Sequence, residues 1–455
     1  MSTSGISINL SGSTASSGTG IGTGIDVTSV VNQILDSERG PEKIWQQQQA
    51  DLTLQATELN TINSSVSALQ DSVTSLKDIL GALAAKTATS SQTGIVTATA
   101  QTSAASGTHT IVVSNLAKTA AYYSDPITTS SMTFATGAIS LQVGTATPTI
   151  MIDQSNNTLD GLSAYINKGD FGVSASVIND ANGARLALVS KTTGLAGDIT
   201  VLGNTSGLVL HESSQGKDAS FTMDGVPLSS ASNTVTSVLP GVTLNLVSEA
   251  PTTPVQITVG PDTTKATQAV NDFVSAYNTV ISSINAQFTV NTATNTEGPL
   301  ASNSALRSLQ ASLLSDVTYA MDGNNGYVNL SSLGINMAND GTLSVDNSKL
   351  SDVLSNHYSD FQNFFQATTV NSFGSHFGSD LANLTDPTQG VLGLSLSENA
   401  SVQKMLTSQI ADFEDRLAHR QQDLIKQYSQ VDAALRQYPL LLAQITGQLA
   451  SMQTK

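Results

Sequence analysis

The strongest constraint in this sequence is a run of apolar residues spaced alternately three and four positions apart. The run consists of Leu59, Ile62, Val66, Leu69, Val73, Leu76, Leu80 and Leu83. This alternation continues for more than three heptads and is typical of a coiled-coil helix, whose narrow apolar seam must pack against other helices. The same spacing extends backward through Leu52 to Trp45, and the intervening positions are mostly Ser, Thr, Gln and Asp. The sequence therefore predicts a long helix with one wet face and one face that needs a partner.

A shorter helix is predicted upstream of this seam. Val27, Val30, Val31, Ile34 and Leu35 fall on one helical face, Asp26 is suited to cap its start, and Gly40-Pro41 ends it or turns it into the next helix. Residues 1–24 are rich in Ser, Thr and Gly, and we expect a flexible leader. They have no basic segment followed by an apolar one, so we expect no cleaved secretory signal.

The C-terminal segment has the same pattern as the N-terminal one. Its alternating seam is Leu406, Ile410, Phe413, Leu417, Arg420, Leu424, Gln427 and Val431. Beyond it, every seventh position is again apolar or aromatic, at Tyr428, Leu435, Leu442 and Leu449. A helix over residues 398–450 would be about 80 Å long. Pro439 is expected to kink or break it, because proline lacks the amide that an interior turn needs.

Between the two seams the apolar period changes from 3.5 to 2, which predicts strands over residues 87–260. The clearest are 107–113, 139–143, 149–152, 173–178, 185–189, 242–246 and 255–259, with Asn182-Gly183 and Asp224-Gly225 as turn dipeptides. One helix, 159–167, interrupts them. Helices return after Pro261, and residues 327–345 are predicted to contain short strands around Asn339-Asp340-Gly341.

The predicted fold class is an α+β multidomain chain. An antiparallel coiled-coil stalk forms from both termini, and a mainly antiparallel β head is inserted between them, because a continuous chain must go out and return. The expected domains are terminal leg helices at 1–42 and 425–455 (flexible leader 1–24), a helical stalk with a small β part at 43–86 and 265–424, a first β head domain at 87–120 and 212–264, and a second β head domain at 121–211.

Composition excludes several classes of function. The 455 residues include 35 acidic and 18 basic side chains, which give a net charge of −17, and no cysteine. Nucleic-acid binding is disfavoured, because phosphates repel an acidic chain. Disulfides, zinc–thiolate sites and cysteine nucleophiles are excluded. No apolar run is long enough for a helical membrane span.

The sequence carries no recognisable catalytic or metal motif. Its five histidines include no pair at metal-ligand spacing, and the loop that begins at Asp322 lacks the acidic twelfth residue of a calcium loop. We therefore expect no catalytic residue, no metal and no cofactor. Arg416 and Arg420 are interpreted as a solvated salt-bridged stripe or as a polar layer that sets helix register. Trp45 and the phenylalanines at 361, 364 and 365 are core residues or interface anchors, with core packing favoured.

Motifs along the chain resemble one family of flagellar proteins. They are Gly24-Ile25-Asp26-Val27 with Val30-Val31, Glu38 and Pro41; GTHTIVVSNL at 107–116 with Ala117-Lys118; residues 159–180 with RLALVSKTTG at 185–194; FTMDGVPL at 221–228 with Asn233 and LPGVTLNL at 239–246; Phe273-Val274-x-Ala276-Tyr277-Asn278; and Gly334-Ile335 with Asp340-Gly341-x-Leu343. In this order they are similar to the flagellar hook-associated protein 2 family, the filament caps. The resemblance covers nearly the whole chain from about residue 20.

The resemblance implies a non-enzymatic cap at the distal tip of the bacterial flagellum, beneath which exported flagellin folds and inserts. Its implied partners are further copies of itself in a small ring, flagellin, the hook–filament junction protein, and an export chaperone on the C-terminal helix, with no nucleic acid. The implied location is extracellular, reached through the flagellar type III apparatus.

Two sets of seam residues are the expected docking sites. Oligomer or filament docking is expected at Val27, Val30, Ile34, Leu59, Ile62, Val66, Leu69 and Val73, and chaperone or leg docking at Leu435, Leu442, Ile445 and Leu449. Two alternatives remain open, namely another flagellar axial or junction protein and a surface adhesin with a β head on a coiled stalk.

Overall fold

The computed structural model describes residues 26–290, 296–366 and 372–452, with side chains described as far as residue 449. The predicted leader therefore lies outside the described residues. The helices are α1 (Val27–Glu38), α2 (Gly40–Lys77), α3 (Leu159–Lys168), α4 (Thr263–Phe288), α5 (Ser304–Val317), α6 (Asn347–Asn356), α7 (Tyr358–Gln366), α8 (Phe373–Thr385) and α9 (Val391–Met452).

Strands occupy most of the region between α2 and α4. They are β1 (Lys86–Ser90), β2 (Val96–Ala100), β3 (Gly107–Asn115), β4 (Ala121–Ser124), β5 (Gly137–Val143), β6 (Thr149–Ile152), β7 (Val173–Asp180), β8 (Gly183–Ser190), β9 (Ile199–Asn204), β10 (Leu210–Ser214), β11 (Ala219–Met223), β12 (Val226–Ser230), β13 (Thr234–Val235), β14 (Val242–Leu246) and β15 (Val255–Pro261), with β16 (Ile335–Met337) and β17 (Leu343–Val345) further on.

The strand pairs are antiparallel, as the alternating pattern predicts. A five-stranded sheet (β1-β15-β3-β11-β12) and a three-stranded sheet (β13-β14-β2) enclose one apolar core. A four-stranded sheet (β10-β4-β8-β7), a three-stranded sheet (β6-β5-β9) and α3 enclose a second core. Residues on the inward side of each strand, such as Leu186 and Leu188 on β8, are fully buried. In each core, every second residue of a strand points inward, and these residues fill the space between the two facing sheets.

The turn between β11 and β12 shows how local sequence sets register. Asp224 and Gly225 have φ of 51° and 84°, and they separate the paired residues Met223 and Val226. A two-residue turn with both central φ angles positive suits the twist of a hairpin, and Asp and Gly tolerate it best. The Asp224 carboxylate also accepts a hydrogen bond from the Thr110 amide at 2.8 Å, which ties the turn to β3.

Two compact units make up the chain. One contains residues 1–74, 271–346 and 367–455, and it holds α1, α5, α8, α9 and the β16–β17 pair. The other contains residues 75–270 and 347–366, and it holds the larger sheets. The domain borders expected from the sequence divide the chain more finely, and they stay a prediction.

The order of helix, β region and helix is confirmed, and the fold class is α+β with antiparallel sheets. Three expectations differ from the structure. The coiled-coil run is predicted to reach Leu83, whereas α2 ends at Lys77 and Leu80 is exposed beyond it. The sequence predicts no separate helix over Phe373–Thr385, where α8 lies. It also predicts a kink or break at Pro439. The break is wrong, because α9 runs from Val391 to Met452 with Pro439 inside it, and the kink stays a prediction.

Candidate functional site on the terminal helices

The N-terminal helix α1 packs along the C-terminal helix α9. The Asp26 side chain caps α1 by accepting a hydrogen bond from the Ser29 amide at 3.1 Å. This bond satisfies one of the amides that a helix start leaves free. An apolar cluster then joins the two helices. It consists of Val31, Leu35, Leu417 and Leu424, with Val27, Ile34, Phe413 and Tyr428 packed at its edge.

The long helix α2 continues this pairing with α9 in the antiparallel sense. The ring of Trp45 meets that of Phe413 edge to face, with centroids 5.5 Å apart. Further along, the Gln49 amide donates to the Thr407 hydroxyl at 2.8 Å. The contacts move down α9 as they move up α2, so the predicted antiparallel pairing of helices from the two chain ends is confirmed. On α2 the residues that contact α9 precede the Leu59–Leu83 run.

Charged side chains connect the α1–α2 corner to α9. The Arg39 guanidinium donates to both carboxylate oxygens of Glu414, at 2.5 and 3.1 Å, and to Glu42 at 2.6 Å. The bond to Glu414 raises the pKa of Arg39, and the same bond lowers the pKa of Glu414. Arg420 lies 3.7 Å from Glu38. These pairs favour one register, because a shift of α9 would separate opposite charges.

The predicted oligomer-docking residues divide into two groups. Val30 and the five seam residues of α2 are no more than 7% exposed; the five are Leu59, Ile62, Val66, Leu69 and Val73. Val27 and Ile34 are half-buried. Hydrogen bonds from Gln287 on α4 to Glu58, at 3.0 Å, and from Thr385 on α8 to Gln70, at 3.4 Å, flank the α2 seam. The seam therefore packs inside the chain itself, and its role in docking stays a prediction.

The C-terminal part of α9 carries an exposed apolar seam. We call the C-terminal seam the set Leu435, Tyr438, Leu442, Ile445 and Leu449, which are 40, 61, 52, 52 and 56% exposed. Their spacing of 3, 4, 3 and 4 is that of a coiled-coil stripe, and it starts four positions after Val431, the last residue of the preceding seam. The predicted docking residues are thus brought onto one stripe. Tyr438 was not predicted, although it lies seven positions before Ile445 and the 3–4 spacing identifies it.

Pro439 lies within this exposed stretch and interrupts only local bonding. Proline has no amide hydrogen, so the carbonyl four residues earlier, that of Leu435, loses its helical donor. Leu435 and Leu440 on either side are 40 and 70% exposed, so water can reach this part of the backbone. A proline here therefore costs less than in a buried helix, because water can satisfy the freed carbonyl.

A polar cluster on α5 and α8 was not predicted from the sequence. His376 Nε2 lies 3.5 Å from Asp316 Oδ1 and 3.7 Å from Asp380 Oδ2. Burial, and then the neighbouring Asp380, raises the pKa of Asp316 to about 7. Part of the cluster could have been found in the sequence, because His376 and Asp380 are four positions apart and fall on one face of a helix. Asp316 is remote in sequence, and only the fold brings it there.

The remaining singled-out residues have structural partners. Phe361, Phe364 and Phe365 are fully buried and pack against one another, so the core interpretation of these three is confirmed. Arg416 bonds the Asp412 carbonyl at 3.4 Å and its guanidinium lies over the Phe413 ring.

Helices from the two chain ends pair antiparallel, and a β-rich region is inserted between them in the sequence. This arrangement defines a class of stalk proteins with inserted β domains. Two family models match this chain. The model of the flagellar hook-associated protein 2 N-terminus matches residues 23–120, and that of its C-terminus matches residues 216–439. The chain belongs to the flagellar hook-associated protein 2 family.

Individual relatives cover most of the chain. It is 32% identical to the B-type flagellar hook-associated protein 2 of Pseudomonas aeruginosa, over 96% of this chain and 98% of that protein. It is 29% identical to the flagellar hook-associated protein 2 of Escherichia coli, over 74% of this chain and 77% of that protein. The crystal structure of the D1-D2-D3 domains of the flagellar cap protein FliD from Escherichia coli matches with a TM-score of 0.55 and 27% identity, over 75% of this chain and 99% of that one.

Among the helices that the structure describes, none has both the length and the hydropathy to cross a membrane.

Proposed function

We propose that this chain is a flagellar filament cap, which sits at the distal tip of the filament and promotes folding and insertion of exported flagellin. Its family membership supports this function, and the near full-length match to the Pseudomonas aeruginosa relative extends it to the whole chain. The observation that carries the proposal is the C-terminal seam, a continuous apolar stripe on a helix whose preceding half is covered by α1 and α2.

The cap works without catalysis in this proposal. The paired helices α2 and α9 supply stiff elements, and at about 1.5 Å per residue the 62 residues of α9 span about 93 Å. Residues 1–42 and 425–455 act as legs that enter the filament tip, and the β domains close it as a plate. Flagellin then folds in the sheltered space beneath the plate.

The C-terminal seam is the docking surface of the leg. Each of its side chains is about half exposed, so burying the rest against a partner helix contributes roughly 1 kcal/mol per residue. The occupant we propose after export is a helical subunit at the filament tip, and before export the flagellar chaperone covers the same stripe. Both bind an apolar 3–4 stripe because such a stripe packs only against another helix.

Assembly into a small ring is part of the proposal. Val27 and Ile34, half-buried on α1, and the C-terminal seam remain accessible for contacts between subunits. The proposed partners are further copies of this chain, flagellin, the hook–filament junction protein and the chaperone. The proposed location is the outside of the cell, after export through the flagellar type III apparatus without a cleaved signal.

A deletion strain tests the function. Loss of the gene should abolish filaments and release monomeric flagellin into the medium, and expression of the chain in trans should restore both. Filaments of normal length and number in the deletion strain would contradict the proposal.

A second experiment tests the docking surface with a matched pair of substitutions. Leu442→Gln removes a leucine from the C-terminal seam, and Leu440→Gln removes one that is 70% exposed and two positions away, on the opposite side of α9. The triple variant L442Q/I445Q/L449Q enlarges the effect. We expect motility and chaperone pull-down to fall for Leu442→Gln and the triple variant and to persist for Leu440→Gln. Equal behaviour of the matched pair would show that the stripe is not the docking face.

A further inference from the structure

A buried carboxylate at the end of α5 faces two more potential ligands on α8. Asp316 is 3% exposed, and its Oδ2 has no hydrogen-bond partner among the described residues. Asp316, His376 and Asp380 each offer one ligand atom, and these three atoms all lie within 4.8 Å of one another. No other group of three His, Asp or Glu side chains in the described part of the chain meets this spacing.

A positive charge beside Asp316 would be stabilising, because other negative charge surrounds this residue. Asp316 is the penultimate residue of α5, where the helix dipole already places partial negative charge. A second carboxylate, Asp380, lies beside it. A buried carboxylate is stable as an anion only when it is paired, hydrogen-bonded or coordinated to a metal, and otherwise it takes up a proton. His376 lies near, but its 3.5 Å separation from Asp316 Oδ1 is too long for a strong hydrogen bond.

The separations fit the edges of a coordination polyhedron. Ligands about 2.1 Å from a metal ion stand roughly 3.0 Å apart in an octahedron and roughly 3.4 Å apart in a tetrahedron. The separations of His376 Nε2 from Asp316 Oδ1 and from Asp380 Oδ2, 3.5 and 3.7 Å, lie just above these values. We propose that Asp316, His376 and Asp380 bind a divalent transition-metal ion of the zinc class, with one imidazole and two carboxylate ligands.

Neighbouring residues would hold the imidazole in place for this role. The Tyr319 ring stacks on His376 with centroids 4.3 Å apart, and the Tyr319 amide donates to the Asp316 carbonyl at 3.0 Å. The end of α5 therefore supplies both a ligand and the surface that orients the imidazole of α8. Such outer contacts set the direction in which a histidine nitrogen points at a metal. Bound metal would tie α5 to α8, and the site does not depend on the cap function.

Zinc titration of the full chain tests the site. The protein is treated with a chelator, dialysed, and titrated with Zn²⁺ by calorimetry beside His376→Gln and Asp380→Asn. We expect one tight equivalent in the unmodified chain and at least about a tenfold weaker affinity in each variant, because each loses a direct ligand. His109→Gln is the matched control, since His109 also pairs with an aspartate, Asp224, at 2.8 Å, and it should leave the affinity unchanged.

Three outcomes would overturn the proposal. They are no saturable zinc binding, equal affinity in the unmodified chain and both variants, and an equal loss in the His109 control. The first outcome would mean that a proton, and not a metal ion, neutralises Asp316 in the folded chain. If a variant fails to fold, histidine ring signals in the NMR spectrum of the unmodified chain decide. One of the five rings should shift at one equivalent of Zn²⁺, and no shift would refute the site.

Discussion

The substitution Ile62→Ala tests whether the α2 seam is a true interior. Ile62 is 0% exposed. The change removes three carbon groups, worth about 0.8 kcal/mol each in transfer free energy, or roughly 2.4 kcal/mol together. The cavity left behind adds to this, because surrounding side chains collapse only partly. The total loss in the free energy of unfolding should be about 3–5 kcal/mol.

This loss should be visible as a shift in thermal unfolding. The unit that contains Ile62 is built from residues 1–74, 271–346 and 367–455. In a unit of this size each kcal/mol lowers the midpoint by about 2–4 °C, so we expect a fall of roughly 6–20 °C. Scanning calorimetry or circular dichroism at 222 nm measures it. The matched control is Leu442→Ala, which truncates a 52% exposed side chain on a helix and should change stability by no more than about 0.5 kcal/mol.

Equal midpoints for Ile62→Ala and Leu442→Ala would refute the reasoning. That result would mean that the α2 seam is not packed within the isolated chain, and that its spacing serves a contact between chains instead.

Three further substitutions report on other parts of the molecule. Phe413→Ala removes the edge-to-face partner of Trp45, the single tryptophan, so tryptophan emission should shift to the red and stability should fall by about 1–3 kcal/mol. Tyr358 donates to the Leu83 carbonyl at 2.9 Å, and Tyr358→Phe should cost about 1 kcal/mol. Burial also raises the pKa of Tyr358 from 10.0 to about 12, so its stabilising contribution is present below pH 10 and lost as pH rises through 12. The decline in stability over that range should be shallower in Tyr358→Phe. Pro439→Ala restores a helical amide, and hydrogen exchange near residue 439 should slow without any change in the β cores.

The sequence predicted the elements in which one physical pattern dominates. The 3–4 spacing from Leu59 to Leu76 predicted the course of α2, but its extension to Leu80 and Leu83 was wrong, because α2 ends at Lys77. Alternation identified strands such as Val242–Leu246 to the residue. Both patterns follow directly from which side chains must be buried. Helix α8 was not predicted because Gly374 and Gly378 lower its helix propensity. Its apolar residues nevertheless keep the helical period, at Phe373, Phe377 and Leu381.

The candidate sites divide in the same way. The C-terminal seam was predictable because its residues share one helix and a regular spacing. Whether such a seam is covered depends on the fold, so the sequence could not separate buried Leu69 from exposed Leu442. The cluster of Asp316 with His376 depends on the packing of α5 against α8. Local sequence patterns do not predict which helices pack together, so the cluster could not be predicted.

Immunogold electron microscopy of intact flagella tests the central claim most directly. An antibody against this chain is applied to whole cells and to filaments sheared from them. The cap function predicts label at one end of each filament, the distal tip, and nowhere along the shaft. Label at the hook–filament junction, along the shaft, or on the cell surface away from flagella would contradict it and favour a junction protein, a filament subunit, or an adhesin.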